Sequence, residues 1–393
     1  MIERIQAAAT QHFERLVSIR RHLHAHPELS FEEHETSAYV EGILTEMGLK
    51  VERMANTGLV CMIEGAESGP VVALRGDMDA LPILEQNDAS YCSTNEGVMH
   101  ACGHDVHTTC ILGAAMILNE LKGELKGSVK LIFQPGEEKL PGGASIMIKE
   151  GALKNPTPKA IFGQHVHPEL DAGRVGFRAG NYMASCDEVY LTVKGKGGHG
   201  ALPHKNIDPV LIAAQTIVAM QQVASRRANP MMPTVLSFGK IEGKGATNVI
   251  PDRVEIAGTF RTFDETWRQE AHEMIRQIAE ETAKAYGGEC EVRIEKGYPY
   301  VHNHEELTAR ARAAAVEYLG EENVVELDMR ATGEDFSYYS QVMPGSFHRL
   351  GVRNEERGIV YPVHNSRFDV DEECLRVGSG LMAWLAITEM NEK

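Results

Sequence analysis

Several features are scarce in this sequence, and each absence narrows its function. No apolar run approaches the roughly 20 residues of a membrane-spanning helix, so we expect no transmembrane segment. Basic residues are outnumbered, because 39 lysines and arginines stand against 56 aspartates and glutamates, a formal net charge of −17. Binding to nucleic acid or to an anionic membrane requires a basic surface, so we expect neither.

Cysteines are few and odd in number. Seven are scattered from Cys61 to Cys374, which is typical of reduced thiols and not of a disulfide framework. Residues 1–16 carry charges at helical spacing and lack the apolar core of a signal peptide. These patterns lead us to expect a cytoplasmic protein.

Two familiar site patterns are also missing. Gly197 and Gly198 lie in a glycine-rich loop that lacks the Walker spacing of a phosphate-binding loop. No Pro-Cys-x-x-Cys segment follows a His-x-Glu segment, which disfavours a zinc nucleoside deaminase.

The arrangement of predicted elements indicates two domains in the 393 residues. From about residue 51 strands alternate with helices, whereas from about residue 185 the order β-α-β-β-α-β predicts a ferredoxin-like unit. We therefore predict an α/β fold with a discontinuous catalytic domain, residues 1–184 and 299–393, whose mixed, mostly parallel sheet is flanked by helices. An inserted satellite domain occupies residues 185–298.

The N-terminal region predicts two helices. Apolar residues at helical spacing predict one helix over residues 3–24, ended by Pro27. The segment Ser30 to Glu33 is typical of a capping box that opens the next helix. Three nearby histidines are interpreted as surface or supporting residues without a ligand role: His22, His24 and His26.

The richest stretch for chemistry is residues 99–107, Met-His-Ala-Cys-Gly-His-Asp-Val-His. Cys102 and His104 are two residues apart and could converge on one ion in an extended or looped backbone. A thiolate beside an imidazole suits zinc and also tolerates manganese, cobalt or nickel. Taken alone, the stretch is equally compatible with a helix start that carries surface histidines and a buried cysteine.

Three predicted strands end in carboxylates or histidines, and binding sites form outside the carboxyl ends of such strands. A histidine near the end of the chain precedes the final predicted helix. The candidate metal ligands are Cys102, His104, Glu138, His165 and His364. Five ligands exceed the needs of one tetrahedral ion, so we expect two ions with Cys102 as a plausible bridge. The neighbouring Glu137 is the candidate general base, against the alternative of a solvated loop carboxylate.

Nine motifs in order give this chain a resemblance to a known family. They are RGDMDALP (75–82), MHACGHDVH (99–107), QPGEE (134–138), GQHVHP (163–168), GGHGALPH (197–204), TNVIPD (247–252), GTFRTFD (258–264), TGEDFSYYS (332–340) and PVHNSRF (362–368). The sequence resembles the aminoacylase / carboxypeptidase G-like family of two-metal hydrolases. Within it, the chain is most similar to the branch of hippurate hydrolases, N-acyl-amino-acid amidohydrolases and auxin-conjugate hydrolases.

The resemblance implies roles for particular residues. It implies that the five candidate ligands hold two divalent ions, zinc or manganese with nickel or cobalt as alternatives, and that Glu137 is the base. His199 would stabilise the oxyanion, commonly from the partner subunit of a homodimer formed through the satellite domain. Asn248 and Arg261 would contact the substrate carboxylate or carbonyl. A loop histidine, a turn asparagine and a surface-paired arginine are the alternatives.

One departure concerns other branches of the family. They place a His-x-Asp ligand pair where this chain has Asp77-Met78-Asp79. We interpret Asp79 as a residue that orients a ligand histidine, with a purely structural carboxylate as the alternative.

The resemblance, together with the ligand set and Glu137, implies a metal-dependent amidohydrolase. It would cleave N-acyl amino acids, of the acetyl or benzoyl type, into a free amino acid and a carboxylic acid. A dipeptidase or carboxypeptidase with the same chemistry is the alternative. A metal-binding protein without catalysis is disfavoured, since the ligand set and Glu137 are all present.

Overall fold

The computed structural model describes residues 1–392, and their contacts divide the chain into two units. The first unit contains Met1–Tyr182, His302–Met329 and the described residues from Asp335 onward. The second contains Met183–Val301 and Arg330–Glu334. The sequence predicts that this last short segment belongs to the catalytic domain. It groups with the second unit because, for example, the N–H of Ala184 donates to the carbonyl of Arg330 at 3.1 Å.

Helices and strands are numbered here in chain order. The helices are α1 (Ile2–Gln11), α2 (Phe13–Ala25), α3 (His34–Glu46), α4 (His104–Leu121), α5 (Gly143–Glu150), α6 (Pro209–Gln222), α7 (Glu265–Ala285), α8 (Glu305–Leu319), α9 (Ser337–Ser340) and α10 (Glu373–Asn391). The strands are β1 (Val51–Met54), β2 (Gly58–Glu64), β3 (Glu67–Asp77), β4 (Lys126–Gln134), β5 (Ala160–Asp171), β6 (Val175–Phe177), β7 (Gly180–Met183), β8 (Asp187–Lys194), β9 (Gly198–His199), β10 (Val235–Glu242), β11 (Val249–Ile250), β12 (Arg253–Arg261), β13 (Glu289–Lys296), β14 (Val301–Asn303), β15 (Val324–Glu326) and β16 (Gly345–Arg353).

An eight-stranded sheet forms the centre of the first unit, in the order β1-β2-β4-β3-β5-β16-β6-β15. Its middle strands β4, β3, β5 and β16 are mutually parallel, while β1, β2 and the β16–β6 pair add antiparallel contacts. The apolar run 71–74 of β3 is buried, as expected of a parallel strand covered on both faces. The mixed, mostly parallel sheet predicted from the sequence is confirmed.

Helix α4 is buried from its first residue. Every residue from His104 to Leu118 is buried, and from Cys110 to Leu118 all of these residues are apolar. Such a helix must lie inside the protein and not on its surface. Its N-terminus is therefore fixed by the core, which matters for the side chains that it carries.

The second unit contains a four-stranded antiparallel sheet in the order β10-β12-β8-β13, with α6 and α7 as its helices. The order of elements along the chain is β8-α6-β10-β12-α7-β13. Asp208 caps α6 by accepting from the N–H groups of Val210 and Leu211. The following Pro209 occupies the first helical position, where no N–H is needed.

The N-terminal helices differ from the prediction. His12 separates α1 from α2, so the single helix expected over residues 3–24 is two helices. The capping box is also wrong: α3 begins after Glu33 without a side-chain cap, and the hydroxyl of Ser30 donates instead to Asp79 at 2.6 Å. The hydroxyl of Ser30 thus donates to a distant buried carboxylate, and α3 begins without a side chain that accepts its free N–H groups.

Across residues 1–392, none of the helices combines the length and the apolar character required to cross a bilayer.

Candidate metal centre

The carboxyl ends of three neighbouring parallel strands bring polar residues to one edge of the large sheet. Asp77 of β3 lies opposite Gln134 of β4, and Arg75 lies opposite Gly163 of β5. The loop with the adjacent glutamates follows Gln134 directly, and His165 lies two positions beyond Gly163. The register of the sheet therefore sets these groups side by side.

A tight turn before α4 directs the Cys-Gly-His segment toward β5. Gly103 has a positive φ of 80°, and a Cβ atom there would lie 2.6 Å from Cγ2 of Val166. Only glycine avoids this contact, so the turn depends on it. On either side of the turn, Cys102 and His104 face His165, and Sγ of Cys102 lies 3.3 Å from Nε2 of His165.

The five predicted ligands form two groups with one shared member. Donor atoms of Cys102, His104 and His165 all lie within 4.8 Å of one another, and so do those of Cys102, Glu138 and His364. The structure thus brings together every residue predicted to bind metal. Cys102 belongs to both groups, which is the position required of a ligand shared between two ions.

His364 joins the site from a loop with an unusual backbone. Its φ is +63°, a region that non-glycine residues rarely adopt and that clusters at functional sites. Its N–H donates to the carbonyl of Ala101 at 2.7 Å, which ties the loop to the cysteine segment. Nε2 of His364 lies 3.1 Å from Oε1 of Glu138, and 52% of the His364 side chain remains exposed.

Asp79 links the two glutamates to a histidine. Its carboxylate accepts the N–H of Glu137 at 3.0 Å and that of Glu138 at 2.9 Å. Oδ1 also lies 3.2 Å from Nδ1 of His104. Since a carboxylate accepts, Nδ1 carries the proton and Nε2 of this histidine is left as the donor atom for a ligand bond. Burial alone would raise the pKa of Asp79, but His104 and Ser30 lower it.

The thiol of Cys102 experiences a strongly negative environment. Burial, Glu138 and Glu137 hold the pKa of this thiol well above its usual range. Carboxylates beside a buried thiol repel its negative form unless a cation lies between them. A divalent ion supplies that charge and deprotonates the thiol outright. The donor set therefore fits a metal ion.

His104 supports the same conclusion. Burial would lower its pKa, but the carboxylates of Asp77 and Asp79 raise the pKa to about 10. Its Nε2 atom is buried and finds no hydrogen-bond partner within residues 1–392. A buried nitrogen in a negative environment is a natural position for a cation, and such an orphaned polar atom is rare without one.

Glu137 is buried and held by a neighbouring backbone group. Its Oε1 atom accepts the N–H of Asp335 at 3.3 Å. The side chain of Asp335 accepts from Gln134 and from Arg75, which are themselves buried. The candidate base is thus attached to a fixed polar network, whereas Glu138 points toward Cys102 and His364.

Some residues that support this loop are not recognisable from the sequence. The buried carboxylate of Glu33 accepts the N–H of Gly136 at 2.8 Å and the hydroxyl of Thr57 at 2.6 Å. Glu33 lies 103 positions away from Gly136, and its local sequence is that of a helix start. No local pattern distinguishes it from a surface glutamate. The buried His107 likewise has no local pattern that indicates its role.

The three remaining predicted residues lie in the second unit. β9 pairs with β11 so that His199 lies opposite Val249, and the N–H of Gly200 donates to the carbonyl of Asn248 at 2.8 Å. Nδ1 of His199 accepts the N–H of Ala201 at 3.0 Å, so in the neutral ring Nε2 carries the proton. His199 and Asn248 are therefore brought together and exposed, with a hydrogen-bond donor available.

Arg261 ends β12 and is half-buried. Its Nε donates to Thr259 at 3.1 Å, and one terminal nitrogen donates to the carbonyl of Ala331 at 3.3 Å. Neither partner is a carboxylate. These hydrogen bonds therefore do not form the surface ion pair that was the alternative role for Arg261.

Known protein families and characterised proteins are similar to this chain over most of its length. Residues 73–387 match the sequence model of peptidase family M20/M25/M40. An N-acetylcysteine deacetylase of Bacillus subtilis is 40% identical over 95% of this chain and 96% of its own length. Thermostable carboxypeptidase 2 of Saccharolobus solfataricus is 38% identical and covers 100% of both chains.

A solved structure is also similar. It is a Bacillus subtilis protein described as a dinuclear metal-binding peptidase of the M20 family. It is 37% identical, covers 97% of this chain and 99% of its own, and superposes with a TM-score of 0.84.

Proposed function

Because this chain belongs to peptidase family M20/M25/M40 and is a hydrolase of amide bonds, we propose that it acts on N-acyl amino acids. It would release the free amino acid and a carboxylic acid such as acetate or benzoate. The observation that carries the proposal is the pair of ligand groups sharing Cys102, with Glu137 beside them. The deacetylase relative supports the acyl substrate.

The proposed cofactor is a pair of divalent ions. Cys102, His104 and His165 would hold one ion, and Cys102, Glu138 and His364 would hold the other. The mixture of thiolate, imidazole and carboxylate suits zinc or manganese, with nickel and cobalt also compatible. Bound ions would polarise the scissile carbonyl and acidify the attacking water.

The protein's own groups would move the proton. Glu137 accepts a proton from the attacking water and passes it to the nitrogen of the leaving amino acid. The buried position of Glu137 and the hydrogen bond from the N–H of Asp335 limit the rotation of its side chain, so the carboxylate keeps one orientation. Asp79 holds the peptide groups of both glutamates, so the base and its neighbouring ligand keep a fixed relation.

We assign the second unit to the substrate. His199 would donate its Nε2 proton to the oxyanion, from the partner subunit. Arg261 would bind the substrate carboxylate through its planar fork, and Asn248 would contact a carbonyl or the carboxylate. The available donors of these exposed or half-buried residues support the assignment.

We also propose a homodimer formed through the second unit. Helix α6 exposes apolar side chains as well as burying them: Val210, Leu211 and Val218 are 44%, 50% and 70% exposed. β10 is an edge strand of its sheet and exposes Ile241. Apolar patches and open strand edges are typical of assembly surfaces.

The seven free thiols, all within the described residues, support a cytoplasmic location.

The decisive experiment is amine release from a panel of substrates after loading with zinc or manganese. N-acetyl and N-benzoyl amino acids should be cleaved faster than dipeptides with a free α-amine. The carboxypeptidase relative favours the alternative, a dipeptidase or carboxypeptidase. A preference for dipeptides or longer peptides would establish that alternative, and no cleavage of any of these by metal-loaded protein would refute both.

A further inference from the structure

His107 lies one turn beyond His104 on α4, fully buried and outside both ligand groups. Its two ring nitrogens have well-defined partners. The N–H of Val166 donates to Nε2 at 2.8 Å, and Nδ1 lies 2.6 Å from Oδ1 of Asp77. A backbone N–H can only donate, so Nε2 is unprotonated and Nδ1 carries the hydrogen that Asp77 accepts.

The partner of His107 is the residue that follows a predicted metal ligand. Nδ1 of His165 lies 2.8 Å from the carbonyl oxygen of Val166. Because a carbonyl only accepts, His165 is protonated at Nδ1 and presents the lone pair of Nε2 toward Cys102. His107 thus holds the N–H of Val166, while the carbonyl of the same residue sets the tautomer of His165.

The other end of this connection is rigid. Oδ2 of Asp77 accepts from Arg75 at 2.6 Å, and Arg75 donates to Asp335 at 2.7 Å and to Gln134 at 2.9 Å. All of these side chains are fully buried. The chain of contacts from Arg75 through Asp77 and His107 therefore reaches the backbone beside the ligand without a mobile link.

His107 is also close enough to Asp77 and His104 to be considered a ligand of a further ion. Both of its nitrogens are already engaged, which argues against that role. We propose that His107 is a positioning residue: it fixes the backbone at Val166 and thereby aims Nε2 of His165 at the ion shared with Cys102. This inference rests on the two-metal site of the proposed function.

Two variants that replace His107 with a polar amide side chain test this positioning role. In His107→Gln the side-chain oxygen can take the place of Nε2 and accept the N–H of Val166. In His107→Asn the amide can reach Asp77 from the place of Nδ1 but leaves the N–H of Val166 without its partner. We expect the asparagine variant to bind one of its two zinc ions about 10–100-fold more weakly, the range seen for such supporting residues, and the glutamine variant to stay near wild type.

The measurement is stepwise zinc affinity by competition with a chelator, together with the cobalt-substituted absorption spectrum, which reports thiolate and imidazole geometry. His348→Asn is the matched control, because His348 is equally buried and lies on the neighbouring strand β16. Equal zinc affinities in the two His107 variants would overturn the inference, as would an equal loss of both ions in the asparagine variant.

The readout separates this inference from the proposed function. Zinc binding is measured without substrate, so a wild-type protein inactive on every acyl amino acid and peptide would refute the function and not the role of His107. Equal zinc affinities in the variants, with normal turnover of N-acyl amino acids by wild type, would refute the role of His107 alone.

Discussion

Adjacent residues acquire different roles when their surroundings differ, and Glu137 and Glu138 illustrate this. Their backbone N–H groups share one acceptor, Asp79, yet the side chains diverge. Glu137 meets the N–H of Asp335, while Glu138 lies within 4.8 Å of Cys102 and His364. Glu137 is thus oriented by a hydrogen bond and lies outside the two candidate ligand groups that share Cys102, whereas Glu138 belongs to one of them.

This division predicts the behaviour of Glu137→Gln. The amide keeps the size of the side chain but cannot accept a proton, so kcat should fall by about 10²–10⁴-fold, the usual contribution of a general base. Metal content, measured by elemental analysis, should stay at the wild-type value because Glu137 lies outside both groups that share Cys102. Retained turnover would exclude Glu137 as the base.

A second residue-scale prediction concerns Asp79→Asn. The wild-type carboxylate accepts from Glu137, Glu138, Ser30 and His104, and an amide has only one accepting oxygen for these donors. Its NH₂ group would face N–H groups that also donate. We expect zinc affinity to fall about 10–100-fold, with kcat reduced even at saturating zinc. Unchanged affinity and kcat would make Asp79 a purely structural carboxylate.

The sequence predicted the donors better than the residues that hold them. Cys102 and His104 stand out because thiol and imidazole lie two residues apart, and Glu137 and Glu138 because they follow a strand. Ser30, Glu33 and His107 act through partners 49, 103 and 59 positions away. Such contacts depend on the packing of whole elements, which residue spacing does not encode.

At the scale of elements, a buried ionic cluster joins α7 to the sheet of the second unit. Asp187 at the start of β8 accepts two hydrogen bonds from Arg268, one from the N–H of Gly297 at 3.0 Å, and contacts His272 at 2.6 Å. Asp187 and Arg268 are fully buried. Removing one partner of such a pair leaves the other charge uncompensated, which costs about 3–5 kcal/mol.

Asp187→Asn should therefore destabilise the second unit at neutral pH, and the effect should depend on pH. Burial raises the pKa of Asp187, but Arg268 and His272 outweigh it and lower the pKa from 3.8 to about 2. A carboxylate with a lowered pKa stabilises the fold above its unfolded value and loses that contribution as the pH falls. The difference in unfolding free energy between the wild type and Asp187→Asn should thus become smaller as the pH falls from 3.8 to about 2.

Urea unfolding followed by Trp267 fluorescence measures this effect. Trp267 belongs to α7, and a Trp384→Phe background removes the other of the two tryptophans. Glu291→Gln is the control, since Glu291 pairs with Lys194 on the exposed surface and should change stability by at most about 1 kcal/mol. A pH-independent difference for Asp187→Asn would contradict the assigned linkage.

Helices and strands were predicted correctly where one apolar pattern dominated the segment. The prediction failed where a side chain forms a hydrogen bond with a distant residue instead of a local one. The apolar run 71–74 and the apolar helix α4 were recognisable because burial on all sides leaves an uninterrupted pattern. The helix over residues 3–24 kept its apolar spacing across His12, so the break could not be read from that spacing. Ser30 matched a local capping pattern, yet its hydroxyl is used by Asp79.

At the scale of the whole molecule, the residues with proposed roles lie in two units. The five candidate metal ligands lie in the first unit, four of them before the second unit in the sequence and His364 after it, whereas His199, Asn248 and Arg261 belong to the second. Motif order along the chain predicted the family, and the family match confirms it. In the proposed homodimer, the subunit whose His199 would act on a given metal centre depends on how the two chains assemble, which the sequence of one chain does not encode.

A complementation experiment decides between the two possibilities. We expect Glu137→Gln and His199→Ala each to be nearly inactive as homodimers. If His199 acts on the partner's site, a dimer with one subunit of each kind contains one complete site, formed by the intact Glu137 of one chain and the intact His199 of the other. Such heterodimers, co-expressed with different tags and purified through both, should show about half of the wild-type activity per dimer, as a two-fold symmetric pair of sites requires.

The alternative outcomes are distinct. If each His199 serves its own chain, every site in the heterodimer lacks one group, and activity stays at the level of the separate variants. A doubly tagged preparation of wild-type chains controls for the effect of the tags. Failure to recover any doubly tagged species, with both tags present in the lysate, would refute the homodimer itself, and the exposed apolar face of α6 would then need another explanation.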